Sequence, residues 1–266
     1  MYDLYNRKIS YLRVSVTDRC NLRCRYCMPP KGIQLISHAE ILSFEEITTI
    51  IETLIPEGIE KIRFTGGEPL VRAGFEHLIG MVSGISGVRD LSLTTNGILL
   101  GKYAHALVSN GLKRVNISLD TIDPIKFKEL TRGGDINQVL RGIEAAQDAG
   151  LGPIKINCVK TNQSSEQELD DLKMFCMERN LDLRFIRQMD LASGSFSQVD
   201  GGAGGNCKIC SRIRLTANGF FKPCLFSEHE YSVRELGIIN AYMLALENKP
   251  EEGKINTRNE FYNIGG

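Results

Sequence analysis

Eight cysteines are spread through 266 residues, and six of them form two triplets, Cys20-x3-Cys24-x2-Cys27 and Cys207-x2-Cys210-x13-Cys224. Three thiolates crowded into one short loop repel one another unless a metal neutralises them, and three free thiols there are prone to oxidation. Structural zinc takes four closed ligands. The nearest further candidate, His38, stands eleven residues beyond Cys27. Three soft ligands with one position left open suit a cubane [4Fe–4S] cluster that keeps one iron available. A zinc site borrowing His38 is the competing reading. The second triplet also offers three thiols, so the same choice arises there. Cys158 lies in the apolar stretch Ile154–Val159 and Cys176 on a helical face, and each reads as a small packing residue.

The remaining composition narrows the classes. With 32 Lys+Arg against 32 Asp+Glu and no basic block, no electrostatic footprint for nucleic acid or an anionic membrane is expected. Hydrophobic residues at 42% and charged ones at 24% exclude wholesale disorder. No apolar run approaches the roughly 18 residues of a membrane span. The opening Met-Tyr-Asp-Leu-Tyr-Asn-Arg lacks a leader's apolar stretch, so a cytoplasmic location and free thiols, not disulfides, are expected.

The triplets need elements to hold them. Short β-branched runs predict strands at Tyr11–Val16, Lys61–Thr65, Leu91–Thr94, Arg114–Ser118, Ile154–Val159 and Leu183–Ile186. Between them fall helices around Ser43–Leu54, Phe75–Ser83, Tyr103–Asn110, Ile136–Ala149 and Gln167–Arg179, the fourth capped by Asp135 and ended at Gly150. Six βα repeats predict an α/β fold with a parallel sheet and right-handed crossovers, curled into a full or partial barrel. Its chemistry belongs at the C-terminal ends of the strands. The first triplet follows the first strand, Gly66-Gly67-Glu68-Pro69 the second, Thr94-Thr95-Asn96-Gly97 ends the third, and Asn116-Ile-Ser118-Leu-Asp120 ends the fourth. After Met189 the periodicity stops. This divides the chain into a barrel over 1–190, a Gly-rich connector over 191–206 and a small module over 207–266. In that module Ala217-Asn218-Gly219 predicts a hairpin that returns Cys224 to Cys207 and Cys210.

The segment Arg13-Val-Ser-Val-Thr-Asp-Arg-Cys20-Asn-Leu-Arg-Cys24-Arg-Tyr26-Cys27-Met-Pro resembles the cluster loop of radical S-adenosylmethionine (SAM) enzymes. More narrowly, the chain is similar to the GTP 3′,8-cyclase family of molybdenum-cofactor biosynthesis. The likeness continues through Ile62-Arg63-Phe-Thr-Gly-Gly67-Glu-Pro, Leu93-Thr94-Thr-Asn-Gly, Ile154-Lys155-Ile-Asn, Leu183-Arg-Phe-Ile, Cys210-Ser-Arg212-Ile-Arg214 and the final Gly265-Gly266. It implies a partial (β/α)6 TIM-like barrel with a small hairpin-containing iron–sulfur module. Cys20, Cys24 and Cys27 would hold a [4Fe–4S] cluster whose open iron binds SAM, with Tyr26, Gly67, Ser118 and Met189 at SAM-contact positions. Arg13, Lys61, Arg63, Thr94, Lys155, Arg212 and Arg214 would bind GTP. Cys207, Cys210 and Cys224 would hold a second [4Fe–4S] cluster facing the guanine. Arg13, Arg212, Arg214, Gly265 and Gly266 would carry catalytic roles.

The implied reaction is reductive cleavage of SAM, abstraction of the ribose C3′ hydrogen by a 5′-deoxyadenosyl radical, and attack of C3′ on guanine C8. The implied partners are a ferredoxin- or flavodoxin-type one-electron reductant and a downstream cyclic pyranopterin monophosphate synthase, around a monomer or homodimer. A triphosphate needs several pre-placed cations from different strands, which these arginines and lysines supply. Gly66-Gly67 are expected to let backbone approach the methionyl end of SAM. Two departures stand out: the segment before the second triplet is shorter than in the family, and Arg187 replaces a usual carboxylate. A radical SAM enzyme acting on another nucleotide or a peptide, and a non-catalytic electron-transfer protein, are the alternatives.

Overall fold

The computed structural model describes residues 1–258, so the Gly265 and Gly266 expectation lies outside the described residues. Six strands form a parallel array in chain order: β1 (Tyr11–Ser15), β2 (Lys61–Thr65), β3 (Asp90–Thr95), β4 (Arg114–Ser118), β5 (Ile154–Lys160) and β6 (Asp182–Arg187). Helices α1 (Phe44–Leu54), α2 (Phe75–Ser83), α3 (Leu100–Ser109), α4 (Pro124–Leu130), α5 (Ile136–Asp148) and α6 (Glu166–Glu178) provide the crossovers. The hairpin then joins this same sheet. Strand β7 (Arg212–Leu215) lies parallel to β1, followed by antiparallel β8 (Phe220–Lys222) and β9 (Tyr231–Ser232), with α7 (Val233–Leu236) and α8 (Ile238–Glu247) completing the described elements. The order β6-β5-β4-β3-β2-β1-β7-β8-β9 leaves β6 and β9 as free edges, so the sheet is a partial barrel and not a closed one.

The helices begin and end where local chemistry dictates. Ser43 with Glu46 and Ser165 with Glu168 form reciprocal capping boxes for α1 and α6. Asp135 caps α5, and Gly150 follows it in the left-handed region at φ 82°. Helix α3 starts three residues before the expected position because its N-terminus, at Leu99, has no side-chain cap to mark it. Helix α4 was not expected from apolar periodicity; Asp123 caps it and Pro124 opens it.

Strand alternation makes two unlike faces. Leu12, Val14, Ile62, Phe64, Leu91, Leu93, Val115, Ile117, Ile154 and Ile156 form an apolar core with the helices. Cys158 and Cys176 lie in that core, at 0% and 2% exposure, as packing residues. Parallel sheets covered on both faces read as continuous apolar runs. Here the intervening residues are polar on strand after strand, which reserves the other face for a ligand.

Gly66 and Gly67 also make room for the chain's own backbone. A Cβ on Gly67 would stand 2.3 Å from the Arg19 carbonyl oxygen, and one on Gly66 2.5 Å from that of Thr17. Gly67 N–H donates to Thr17 and Glu68 N–H to Arg19. The end of β2 is thus docked under the backbone that starts the first cysteine loop. Gly67→Ala is expected to cost about 1–3 kcal/mol by overpacking against rigid backbone, read as a fall in melting temperature. An unchanged melting temperature would contradict that contact.

Candidate functional site

The strand register places the polar side chains in rows. Arg214, Arg13 and Arg63 are successive Cα partners across β7, β1 and β2, with Ser92 next on β3 and Arg114 beyond it on β4. One step toward the strand starts, Arg212, Tyr11 and Lys61 form a second row. One step toward the strand ends, Thr94, Asn116 and Lys155 form a third, and Ser118, Asn157 and Arg184 a fourth. Every expected GTP-contact residue therefore lies on one face. Lys61 is exposed at the rim, and Lys155 is tied to Asp182 at 3.0 Å.

Burial strains this cation cluster. Desolvation first, then Arg214, Arg63 and Arg212, pulls Arg13 well below its ordinary value. Burial and then Arg212 push Arg214 down to about 10. Arg63 is lowered by burial, with Arg114 and Arg184 adding to the effect, while its guanidinium rests over the Tyr11 ring at 5.5 Å. Charges held together against their own repulsion form a receptor for a polyanion.

The two triplets sit at opposite ends of this face. Cys20, Cys24 and Cys27 follow the C-terminal end of β1, half-buried. Cys207 and Cys210 precede the N-terminal end of β7, parallel to β1, and Cys224 follows β8, which runs back to the same end. The intervening strand length is about 15 Å. In the first loop, Cys27 and Met28 N–H groups donate to the Cys24 carbonyl, Leu22 N–H reaches the Cys20 sulfur at 3.4 Å, and Asn96 Nδ2 reaches it at 3.8 Å. Tyr26 donates to Asp120, which also accepts from Val159 N–H; burial first, then Asp120, pushes the phenol well up. Buried Glu68 accepts from Leu70 N–H, Thr95 Oγ1 and Asn96 N–H, fixing the ends of β2 and β3 beside that loop. Met189 packs against a small apolar cluster of Leu191, Leu225 and Phe226, and so does Cys224 of the second triplet.

Sequence reasoning missed the clamps on the second triplet. Buried Arg7, paired with Asp3 at 2.6 Å, donates to the carbonyls of Cys207, Pro250 and Glu251. Buried Lys249 donates to the carbonyls of Arg212 and Pro223 at 2.8 Å each. Nothing in local sequence marks either contact, because each spans distant segments. Arg184 and the buried Lys222, partner of Arg214 in register, extend the cationic face; strand alternation was the signal for both.

Among the described residues no three metal-ligating side chains are drawn together as for a single ion, and His38 is exposed. The fit to clusters therefore rests on the donor chemistry: two sets of three half-buried soft thiols, the first with N–H groups directed at sulfur. The sets differ electrostatically. Burial, then Asp120 and the neighbouring thiols, pushes Cys24 up. Burial also raises Cys210, but Lys249 and Arg212 outweigh it and hold the thiol at about 6. In cluster-free protein at pH 7, iodoacetamide is expected to label Cys210 well before Cys24. Peptide mass spectrometry checks this, and faster labelling of Cys24 would contradict it.

The profile of the Radical SAM superfamily matches residues 14–176. GTP 3′,8-cyclase of Alkaliphilus oremlandii is 40% identical over 294 residues, covering 95% of this chain and 89% of that relative. The chain belongs to the GTP 3′,8-cyclase family of radical SAM enzymes. The Clostridium botulinum cyclase is 38% identical over 319 residues and 100% of both chains. Because this radical SAM chain has only 266 residues, that relative contains segments without a counterpart here. Among solved structures, Streptococcus suis SuiB bound to S-adenosylmethionine superposes with TM-score 0.67 at 15% identity, over 93% of this chain and 65% of that one. Native anSMEcpe with bound AdoMet gives 0.63 at 18%, over 92% and 82%. These two share the radical SAM fold.

Proposed function

We propose that this radical SAM enzyme converts GTP to (8S)-3′,8-cyclo-7,8-dihydroguanosine 5′-triphosphate, the first step of molybdenum-cofactor biosynthesis. The observation that carries the reading is the row of buried Arg214 with half-buried Arg13 and Arg63, between two cysteine triplets on one polar face. A polyanion fits such a row, and relatives about 40% identical over nearly the whole chain are named GTP 3′,8-cyclase.

In this reading Cys20, Cys24 and Cys27 hold a [4Fe–4S] cluster, and Tyr26, Gly67, Ser118 and Met189 contact SAM. When bound, the reduced cluster would supply the electron that cleaves SAM, and the 5′-deoxyadenosyl group of SAM would take the hydrogen from ribose C3′. The chain's own task is position and exclusion of water. Arg13, Arg63, Arg212 and Arg214, with Lys61, Thr94 and Lys155, hold the triphosphate and fix the ribose relative to the strand ends. Cys207, Cys210 and Cys224 hold a second [4Fe–4S] cluster toward the base, steadied by Arg7 and Lys249. The functional units are the barrel of 1–190, the connector of 191–206 and the segment 207–266, whose Gly265-Gly266 end serves catalysis. A ferredoxin- or flavodoxin-type protein delivers electrons, and a cyclic pyranopterin monophosphate synthase takes the product. No described helix is long and apolar enough to cross a membrane. The proposed setting is the cytoplasm, with the protein a monomer or homodimer.

The test is anaerobic incubation of the reconstituted protein with SAM, dithionite and GTP. The expected result is 5′-deoxyadenosine together with the cyclised nucleotide. Formation of 5′-deoxyadenosine while GTP returns unchanged would overturn the assignment of GTP as substrate.

A further inference from the structure

Three side-chain atoms in the row above the arginines have no hydrogen-bond partner among the described residues: Thr94 Oγ1, Asn116 Oδ1 and Asn116 Nδ2. Asn116 is 1% exposed, and Thr94 is its Cα partner. A buried amide without partners costs folding free energy, and native interiors rarely tolerate one without a reason. The neighbours on β4 underline the choice. Val115 and Ile117 are fully buried in the apolar core, whereas Asn116 points to the polar face between Arg114 and Ser118.

Its height on that face identifies what it can meet. Same-face residues of a strand are about 7 Å apart. Ser118 lies one such step toward the first cysteine triplet, at a proposed SAM-contact position. Arg114, with Ser92, Arg63, Arg13 and Arg214, lies one step the other way, in the triphosphate row. A nucleotide with its phosphates on the arginines and its reacting carbon toward SAM presents its ribose in between. A ribose carries a vicinal diol. An asparagine amide matches it, since Oδ1 accepts from one hydroxyl while Nδ2 donates to the other.

We infer that Asn116 binds the ribose hydroxyls of the substrate nucleotide and thereby aims its C3′–H at the radical. This rests on the cyclase reading and adds to it the residue that distinguishes a ribonucleotide from a deoxynucleotide.

The test measures equilibrium binding of GTP, 2′-deoxy-GTP and 3′-deoxy-GTP to the anaerobic holoenzyme and to Asn116→Ala and Asn116→Leu. Wild type is expected to prefer GTP by about tenfold for each hydrogen bond lost. Both variants, lacking both hydrogen bonds, are expected to bind GTP about a hundredfold more weakly than wild type does and to bind the three nucleotides with equal affinity. Their melting temperatures should stay level or rise, because an unpaired buried amide has been removed. With GTP they should form more 5′-deoxyadenosine per cyclised product. Equal affinity of wild type for all three nucleotides overturns the inference without reference to any variant. So does a preference for GTP that survives in both variants. If wild type binds GTP but does not cyclise it, the underlying functional reading falls instead, and the binding ratios still report on Asn116.

Discussion

Replacing Cys24 by Ala is expected to reduce SAM cleavage to background, whereas replacing Cys224 by Ala leaves SAM cleavage near the wild-type rate and eliminates cyclised product. The asymmetry follows from placement. Cys24 lies in the loop at the C-terminal rim, its thiol beside Cys20, Cys27 and Asp120. With Cys20, Cys24 and Cys27 as the three proposed ligands, loss of one is expected to leave too few to hold the cluster. Cys224 is at the other end of the polar face, beyond the arginine rows, and shares no strand end with the first loop. Its loss is expected to remove the proposed second cluster but not the groups around Tyr26, Glu68 and Asn96 that shape the first site. The measurement is 5′-deoxyadenosine and cyclised nucleotide quantified separately, alongside iron and sulfide content. Loss of both products in the Cys224 variant, with the first cluster still present, would contradict the division of labour between the two rims.

Much of this arrangement was legible before any coordinates. The first loop declares itself by local spacing, and strands β2 and β4 fall within their expected bounds because β-branched runs and flanking turn residues agree there. Asp135 and Gly150 likewise carry their meaning locally. What escaped is non-local. The pairing of β7 with β1, which puts Arg214 beside Arg13, joins segments some 200 residues apart, and no period announces it. Arg7 and Lys249 escaped for the same reason. Gly67 stands out for its lack of a side chain, but the close approach it allows to the backbone of Asp18 and Arg19 is non-local too.

The connector was read as a Gly-rich tether, and the reason for its glycines emerges from what they touch. Asp200 bridges to Phe185 on the edge strand β6. A Cβ on Gly202 would meet the Arg184 guanidinium at 3.4 Å, and one on Gly204 would lie 3.8 Å from Arg212 Nη1. A short path from β6 to β7 thus brings backbone against cations at both margins of the polar face, where a longer segment would have room for side chains. Arg187, by contrast, is exposed beyond this contact, in register with Lys160.

Arg214→Met is expected to weaken GTP binding by about 30-fold to several thousand-fold, while SAM cleavage without GTP and the melting temperature hold or improve. Arg214 is 7% exposed, with Arg13 beside it in the sheet and Arg212 two residues away on the same strand. A value pushed down to about 10 corresponds to about 3 kcal/mol of unfavourable charge burial. That strain is carried by the free protein and eased further when an anion arrives, so it acts for binding and against stability. Methionine fills a similar volume without the charge, and replacing buried ions by apolar groups is often neutral or stabilising. The opposite signs are the discriminating feature. A purely structural arginine would lower the melting temperature on removal and leave nucleotide affinity intact. Raising the salt concentration should narrow the affinity gap only slightly, since a buried pair is screened far less than an exposed one. Equilibrium GTP binding at two ionic strengths, with a thermal melt of the same samples, decides it.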